Sequence, residues 1–327
     1  VLGLEPPDRW DKTWGYGNMW HVCEEAHARG DMAAGIVKAL HHHTADLVRR
    51  YPLQLDEIEK WHAVCTVQFP EYVKYWATHP DVKNRTPLLQ EQVFDVPYVL
   101  SGRTVRLRGK WDSVDMITDP AQPQGIYLQE NKTKGDIDRM QVERQLKFDL
   151  QTMLYLVALE ASEGLAPFAT NGRHPLRGIR YNVIRRPLSG GKGNINPHKA
   201  KVTKTKVTPA ETAEAFYERL RRDYIAADGA YWFFRVRAEV TERDIQVFRE
   251  TCLDPLLETV CWWYDTEVPG VSYDEIRSRV YPPMNYRTPF GVWSALEEGG
   301  ATEYDHYLEC GSTAGLRQVE TLFDELQ

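Results

Sequence analysis

Two carboxylates and a lysine in this chain stand where elementary chemistry would bring them together. Asp112 closes the run Gly109-Lys110-Trp111-Asp112, and eighteen residues later comes Glu130-Asn131-Lys132. Side chains two apart on a strand share a face, so Glu130 and Lys132 point the same way, and Asp112 on a neighbouring strand can join them. Carboxylates converging on one point repel each other unless a cation lies between them. A hard divalent ion, Mg²⁺ or Mn²⁺, is the natural occupant, because it takes oxygen ligands and keeps several waters. Lys132 can orient and help deprotonate a water, or stabilise negative charge building on a phosphate. Cation, positioned water and lysine together make a site for phosphodiester hydrolysis. Taken singly, Glu-x-Lys on a strand is an ordinary solvated face. The reading rests on the combination, which two further pieces extend: Gly17-Asn18-Met19-Trp20-His21 upstream and Gln151-Thr152-Met153-Leu154-Tyr155 downstream. Gln151 and Tyr155 are i,i+4 and share one side of a helix.

These residues need elements to hold them. Asn18 to Arg50 reads as helical, interrupted near Gly30 and Gly35, and Asp56 to Ala77 as a second helical stretch. Leu88–Val99 and Thr104–Ile117 read as a hairpin around Ser101-Gly102. In its second strand Val105, Leu107, Gly109 and Trp111 alternate with Arg106, Arg108, Lys110 and Asp112, giving one apolar and one charged face. Ile126–Lys132 is a third strand. Leu146, Leu150, Met153, Leu154 and Val157 recur at helical spacing, so one amphipathic helix is expected over Met140–Ser162. Gly178–Arg186 is a fourth strand and Tyr231–Val240 a fifth. Thr208-Pro209-Ala210-Glu211 reads as a helix start, Thr241-x-x-Asp244 as another running to about Asp265, and a short final helix is expected near Leu316–Leu326. The fold class is α/β: a mixed central β-sheet flanked by helices, not the regular alternation of a doubly wound sheet.

Composition sets the outer bounds. At 327 residues the chain can bury a full core, and 42% apolar with 27% charged residues describes an ordinary globular protein. No apolar run approaches a membrane span and no secretory leader is visible, so no membrane partner is expected. The five cysteines are few, odd in number and widely spaced, with no C-x-x-C pair, so a reducing cytoplasm is the expected setting. The net charge of -7 hides a split: residues 164–210 hold ten lysines and arginines and no acid. Such a block invites a polyanionic partner, with Arg180, Arg185, Arg186 and Lys192 as candidate phosphate contacts. Tyr181 and the Tyr231-Trp232-Phe233-Phe234 run could stack bases, although packing in strands is the commoner role. His41-His42-His43 point in three directions from a helix and read as a solvated face. Gly190-Gly191-Lys192-Gly193 lacks the spacing of a phosphate-binding P-loop.

The four motifs, in this order, resemble the PD-(D/E)XK nuclease superfamily in its RecB-like exonuclease branch, with its AddB and phage-nuclease relatives. That branch carries a Gly-x-x-x-His helix, a Gly-x-x-Asp strand, an Asp/Glu-x-Lys strand and a Gln-x-x-x-Tyr helix. The resemblance spans roughly residues 17–186 and implies a restriction-endonuclease-like core with helical additions: an N-terminal helical region (1–86) contributing His21, a nuclease core (87–240) and a C-terminal helical and irregular region (241–327). It implies His21, Asp112, Glu130 and the backbone carbonyl of Asn131 as metal ligands, Lys132 as catalytic lysine, and Gln151 and Tyr155 as supports of the site or the DNA backbone. Many relatives hold an iron–sulfur cluster on four cysteines; Cys23, Cys65, Cys252, Cys261 and Cys310 do not have that arrangement, so no cluster is expected. The expected activity is a divalent-metal-dependent deoxyribonuclease, an exonuclease of phage or bacterial recombination and repair. Two alternatives stand beside it: a catalytically inactive DNA-binding or assembly subunit that keeps the fold, and an α/β enzyme of other chemistry with a chance carboxylate cluster.

Overall fold

The computed structural model describes residues 10–77, 84–135, 149–162, 175–187, 196–202, 207–226 and 228–265, together with the isolated positions 4–5, 79, 140, 142, 146, 194 and 317–318. Five strands form the central sheet in the order β1-β2-β3-β4-β5: β1 (Arg85–Leu100), β2 (Arg103–Ile117), β3 (Gly125–Lys134), β4 (Leu176–Arg185) and β5 (Phe233–Glu239). The first three are antiparallel neighbours, β3 and β4 run parallel, and β5 is antiparallel to β4. The β1–β2 hairpin closes through Ser101 and Gly102, both with positive φ (48° and 79°), the backbone of the tight turn that matches strand twist. Parallel strands need a crossover; α4 (Leu150–Ala161) lies between β3 and β4 in the chain. The mixed sheet flanked by helices is the architecture expected from the residue pattern.

Helices cover both faces. On one, α1 (Lys12–Ala28), α2 (Ala33–Arg50), α3 (Leu55–Ala77) and α5 (Ala213–Ala226) bury an aromatic cluster that includes Trp20, Trp61, Phe69 and Tyr72 and reaches Ile184 and Phe233 of the sheet. On the other, α4, α6 (Glu242–Phe248) and α7 (Asp254–Asp265) pack on Leu128, Ile179, Val183 and Val236. Tyr16, Met19, Trp20, Cys23 and Ala26 form the buried stripe of α1. The Asp11 carboxylate starts that helix by accepting from the Thr13 and Trp14 N–H groups. Gly30, at φ +84°, follows its end. No described helix is long and apolar enough to cross a membrane.

Several elements depart from the sequence reading. Helix α1 begins at Lys12, ahead of Asn18. Met140, Val142 and Leu146 are helical, but the run expected over Met140–Ser162 is interrupted at Asp149, whose carboxylate accepts from the Thr152 N–H and caps α4 afresh. Thr208 does not cap a helix: Val207–Thr208 pairs with Lys201–Val202, the Thr212 hydroxyl accepts from the Ala215 N–H, and Glu211 is held by Arg219 (2.9 Å). Tyr231 and Trp232 belong to a helical turn, Gly229–Trp232, ahead of β5. The capping box at Thr241 and Asp244 forms as expected. The helix after it widens to π geometry over Arg249–Leu253, where the Asp254 N–H reaches the Arg249 carbonyl and Pro255 has no N–H to offer. Arg317–Gln318 forms a short strand with Leu4–Glu5; the rest of the expected final helix, the Gly190–Gly193 loop, Lys192 and Cys310 lie outside the described residues.

Candidate active site

The site forms where the hairpin changes face. Leu89 and Phe94 pack into the same core cluster although they are five apart, and so do Trp111 and Val114, three apart. In a regular strand each pair would point to opposite faces. The switch falls at Glu91, which has φ +48°, and at Asp112 opposite it, between the paired positions Gln90↔Ser113 and Gln92↔Trp111. Both carboxylates are thereby left at the boundary between the two faces. Glu91 was invisible to motif reasoning; its trace is the Gln90-Glu91-Gln92 interruption in an otherwise alternating strand.

On the β3 side the paired register runs from Ile117↔Gly125 to Ser113↔Gln129. Just beyond it the Asp112 carboxylate accepts the Asn131 N–H at 2.7 Å, taking the place of a backbone partner. Glu130 and Lys132 do share a face, with Lys132 Nζ 3.3 Å from Glu130 Oε1. Lys132 also donates to Gln151 Oε1 (2.8 Å), and Gln151 Nε2 donates to the Tyr155 hydroxyl (3.0 Å). Helix α4 thus holds the lysine through the i,i+4 pair that the sequence displays. Gly109 explains its own place in the motif: a Cβ there would sit 2.5 Å from the Phe94 ring and 2.9 Å from that of Tyr155. Below it Trp111 stacks on Phe94 (4.5 Å between centroids) and its indole N–H donates to the Tyr155 carbonyl (3.3 Å).

From the opposite face α1 presents a second stripe, Gly17, His21 and Glu25, at four-residue spacing. Gly17 lies over Thr133, His21 Nδ1 is 3.5 Å from Asp112 Oδ1, and Glu25 is 3.6 Å from Lys110 Nζ. Lys110 also binds Glu91 at 2.9 Å. Asn131 is fixed from behind: Asn182 Nδ2 donates both to Asn131 Oδ1 (2.8 Å) and to the Tyr72 hydroxyl (2.7 Å).

Potential ligand atoms of His21, Glu91 and Asp112 lie within 4.8 Å of one another. Glu130 is outside that set but close enough for Asp112 to raise its pKa. Burial foremost, then Glu91, pushes Asp112 up to about 8; burial, then Asp112, pushes Glu130 up to about 8. Burial also raises Glu91. Glu130 Oε2 is buried without a hydrogen-bond partner. Carboxylates raised together around an unsatisfied oxygen, with an imidazole beside them, fit a divalent cation, which would favour their ionised forms.

Among the described residues of the basic block, Arg177, Arg180, Arg185 and Arg186 do not line one track. Arg180 is 3% exposed and lies 3.8 Å from Asp115, which Arg85 also binds at 2.7 Å, so it is an interior ion-pair residue and not a phosphate contact. Arg185 stacks on Tyr231 (4.4 Å) and donates to its carbonyl. Arg186 is half-buried, and its backbone N–H donates to the Lys134 carbonyl. Arg177 is at the opposite end of β4 from Arg185 and donates to the Gln124 carbonyl. Tyr181 is buried with its hydroxyl on the Leu146 carbonyl, and Phe233 and Phe234 are core residues, so none of the three offers a face to a base. Cys23 and Cys65 are buried in the aromatic cluster, and Cys252 and Cys261 are half-buried.

A family model described as the PD-(D/E)XK nuclease superfamily matches residues 1–244. None of the curated proteins searched matches the chain.

Proposed function

The chain belongs to the PD-(D/E)XK nuclease superfamily, and from that premise we propose that it is a divalent-metal-dependent deoxyribonuclease of the RecB-like branch, an exonuclease acting on DNA ends or single strands. The observation that carries the reading is the junction of His21, Glu91 and Asp112 with Glu130-Asn131-Lys132, held by Gln151. His21, Glu91, Asp112 and Glu130 would hold the cation, Mg²⁺ or Mn²⁺, with the Asn131 carbonyl as the further ligand that the family resemblance implies. A bound divalent ion supplies Lewis-acid stabilisation of phosphoryl oxygens and makes water a stronger nucleophile.

The chain's own groups do the rest. Lys132, at the edge of the cluster, holds the attacking water or the phosphate oxygen on which charge accumulates. Gln151 fixes its Nζ, and Tyr155 fixes Gln151, so the ammonium needs little reordering when substrate arrives. The Asn131 N–H holds the Asp112 carboxylate in one orientation. The carboxylate pair, the lysine and their positioning residues are all retained, which favours an enzyme over an inactive subunit that keeps the fold. Residues 1–86 would then be the His-bearing helical region, 87–240 the nuclease core and 241–327 the C-terminal addition, in a cytoplasmic enzyme of phage or bacterial recombination and repair. The test is digestion of linear duplex, closed circular duplex and single-stranded DNA with Mg²⁺ or Mn²⁺. Cleavage of linear and single-stranded forms is expected; efficient cleavage of closed circles would overturn the exonuclease assignment.

A further inference from the structure

Beside the carboxylate cluster, between α1, α3 and the sheet, lies a cavity of about 360 Å³. It shares Glu91 and Asp112 with the cluster, so whatever fills it lies next to the reacting phosphate. Its floor is buried yet polar: Ser113, Gln129 and Asn131 from the strands, with Tyr72 and Trp76 from α3 beside them. Gln129 Oε1 is buried without a hydrogen-bond partner. The rim, at His27, Ala77 and Gln90, is exposed.

The lining selects the class of occupant. Arg85 and Arg235 face the cavity, but Arg85 is engaged by Asp115 at 2.7 Å and Arg235 lies over the Trp76 ring at 3.8 Å. Against them stand the carboxylates of Glu24, Glu91 and Asp112. That balance does not favour a second phosphate. An apolar guest is equally unsuited: Asp115 and Asn182 already engage the Ser113 hydroxyl and Asn131 Oδ1, but Gln129 Oε1 would stay buried without a partner. A neutral, flat group with donors and acceptors on its edge fits, and the volume is at the small end of the range for single ligands. Carboxamides are the side chains that read base edges with paired donor and acceptor.

We propose that this cavity receives one nucleobase, that of a nucleotide flanking the scissile phosphate, turned out of the stack. The inference rests on the nuclease reading and deepens it. Turning a base out of a paired duplex costs unpairing and unstacking energy that a single strand or frayed end is spared, so single-stranded substrate is preferred.

The experiment uses the full chain with Mn²⁺ and a labelled single-stranded oligonucleotide, its duplex, and versions with one abasic residue at successive positions. The unaltered protein should cleave the single strand at least tenfold faster than the duplex; equal rates overturn the inference. Ala28→Phe fills the cavity from α1. It should slow cleavage of the intact strand about tenfold, and an abasic residue beside the cut bond should restore most of the loss. Equal slowing on intact and abasic strands overturns it. Calorimetry of Mn²⁺ binding reports whether the centre survives the substitution. If Ala28→Phe loses the ion, Gln129→Leu carries the test: its preference among the four bases at that nucleotide should shift about fivefold, and an unchanged preference overturns the proposal. Absence of metal-dependent cleavage by the unaltered protein removes the nuclease reading and this inference with it.

Discussion

Replacing Asp112 by asparagine should make the metal-free protein more stable at high pH. The Asp112 carboxyl is 9% exposed, and burial and Glu91 raise it from its ordinary 3.8 to about 8. A raised acid favours the folded state below its unfolded value, near 4, and that contribution is lost as pH rises through about 8. At about 1.4 kcal/mol per pH unit, ionising this group in the fold costs at most about 6 kcal/mol relative to the unfolded chain. Glu91 and Glu130 share the strain, so about 2 kcal/mol is a fair figure for Asp112 alone. Asparagine does not titrate here, and its carbonyl oxygen can still accept the Asn131 N–H now held at 2.7 Å. With chelator present, Asp112→Asn should match the parent within about 0.5 kcal/mol at pH 4 and exceed it by about 2 kcal/mol at pH 9, a rise in Tm of several degrees. Adding Mn²⁺ should reverse the order at pH 9, because the ion stabilises the parent and not the variant. Urea or thermal unfolding at the two pH values is sufficient. A variant less stable than the parent at both pH values, by the same margin, would refute the electrostatic reasoning.

Other expectations follow from the same geometry. Divalent-ion affinity of the parent should rise with pH up to about 8 and then level off, since protons compete for Asp112 and Glu130 until both ionise; calorimetry in buffers of differing ionisation enthalpy should register the released protons. Gln151→Leu removes one of the acceptors of Lys132 and should lower the cleavage rate about tenfold while leaving ion affinity unchanged, a split read from steady-state kinetics and titration. Gly109→Ala places a methyl within 2.5 Å of Phe94 and should destabilise by about 1–3 kcal/mol in denaturant unfolding, with α4 displaced. Thr241→Ala breaks the capping box far from the cluster and should cost about 1 kcal/mol in stability with unaltered cleavage kinetics.

What the sequence made legible was local and periodic. The alternation from Val105 to Trp111, the turn at Ser101-Gly102 and the i,i+4 pair Gln151/Tyr155 each express a constraint carried by neighbouring residues. Glu130 and Lys132 share a face because strand geometry demands it. What stayed hidden depends on contacts between distant segments. Glu91 acquires its place only because two strands switch faces opposite one another. Arg180 looks like a surface cation until Asp115, 65 residues earlier, is seen beside it. Asp149 interrupts an apolar period that is otherwise continuous, because its carboxylate caps the backbone more favourably than the helix can absorb it. Thr208 carries every local mark of a helix start, yet Thr212 takes the capping role and Glu211 is claimed by Arg219.

The central claim is that these carboxylates and Lys132 form one metal-dependent centre for phosphodiester hydrolysis. Its most direct measurement is cleavage of labelled single-stranded DNA by the unaltered protein, by Glu130→Ala and by Lys132→Ala, each with Mn²⁺, with Mg²⁺ and with EDTA. The account predicts cleavage by the unaltered protein that EDTA abolishes and that each substitution lowers at least about a hundredfold. Metal-dependent cleavage that survives both substitutions would contradict it.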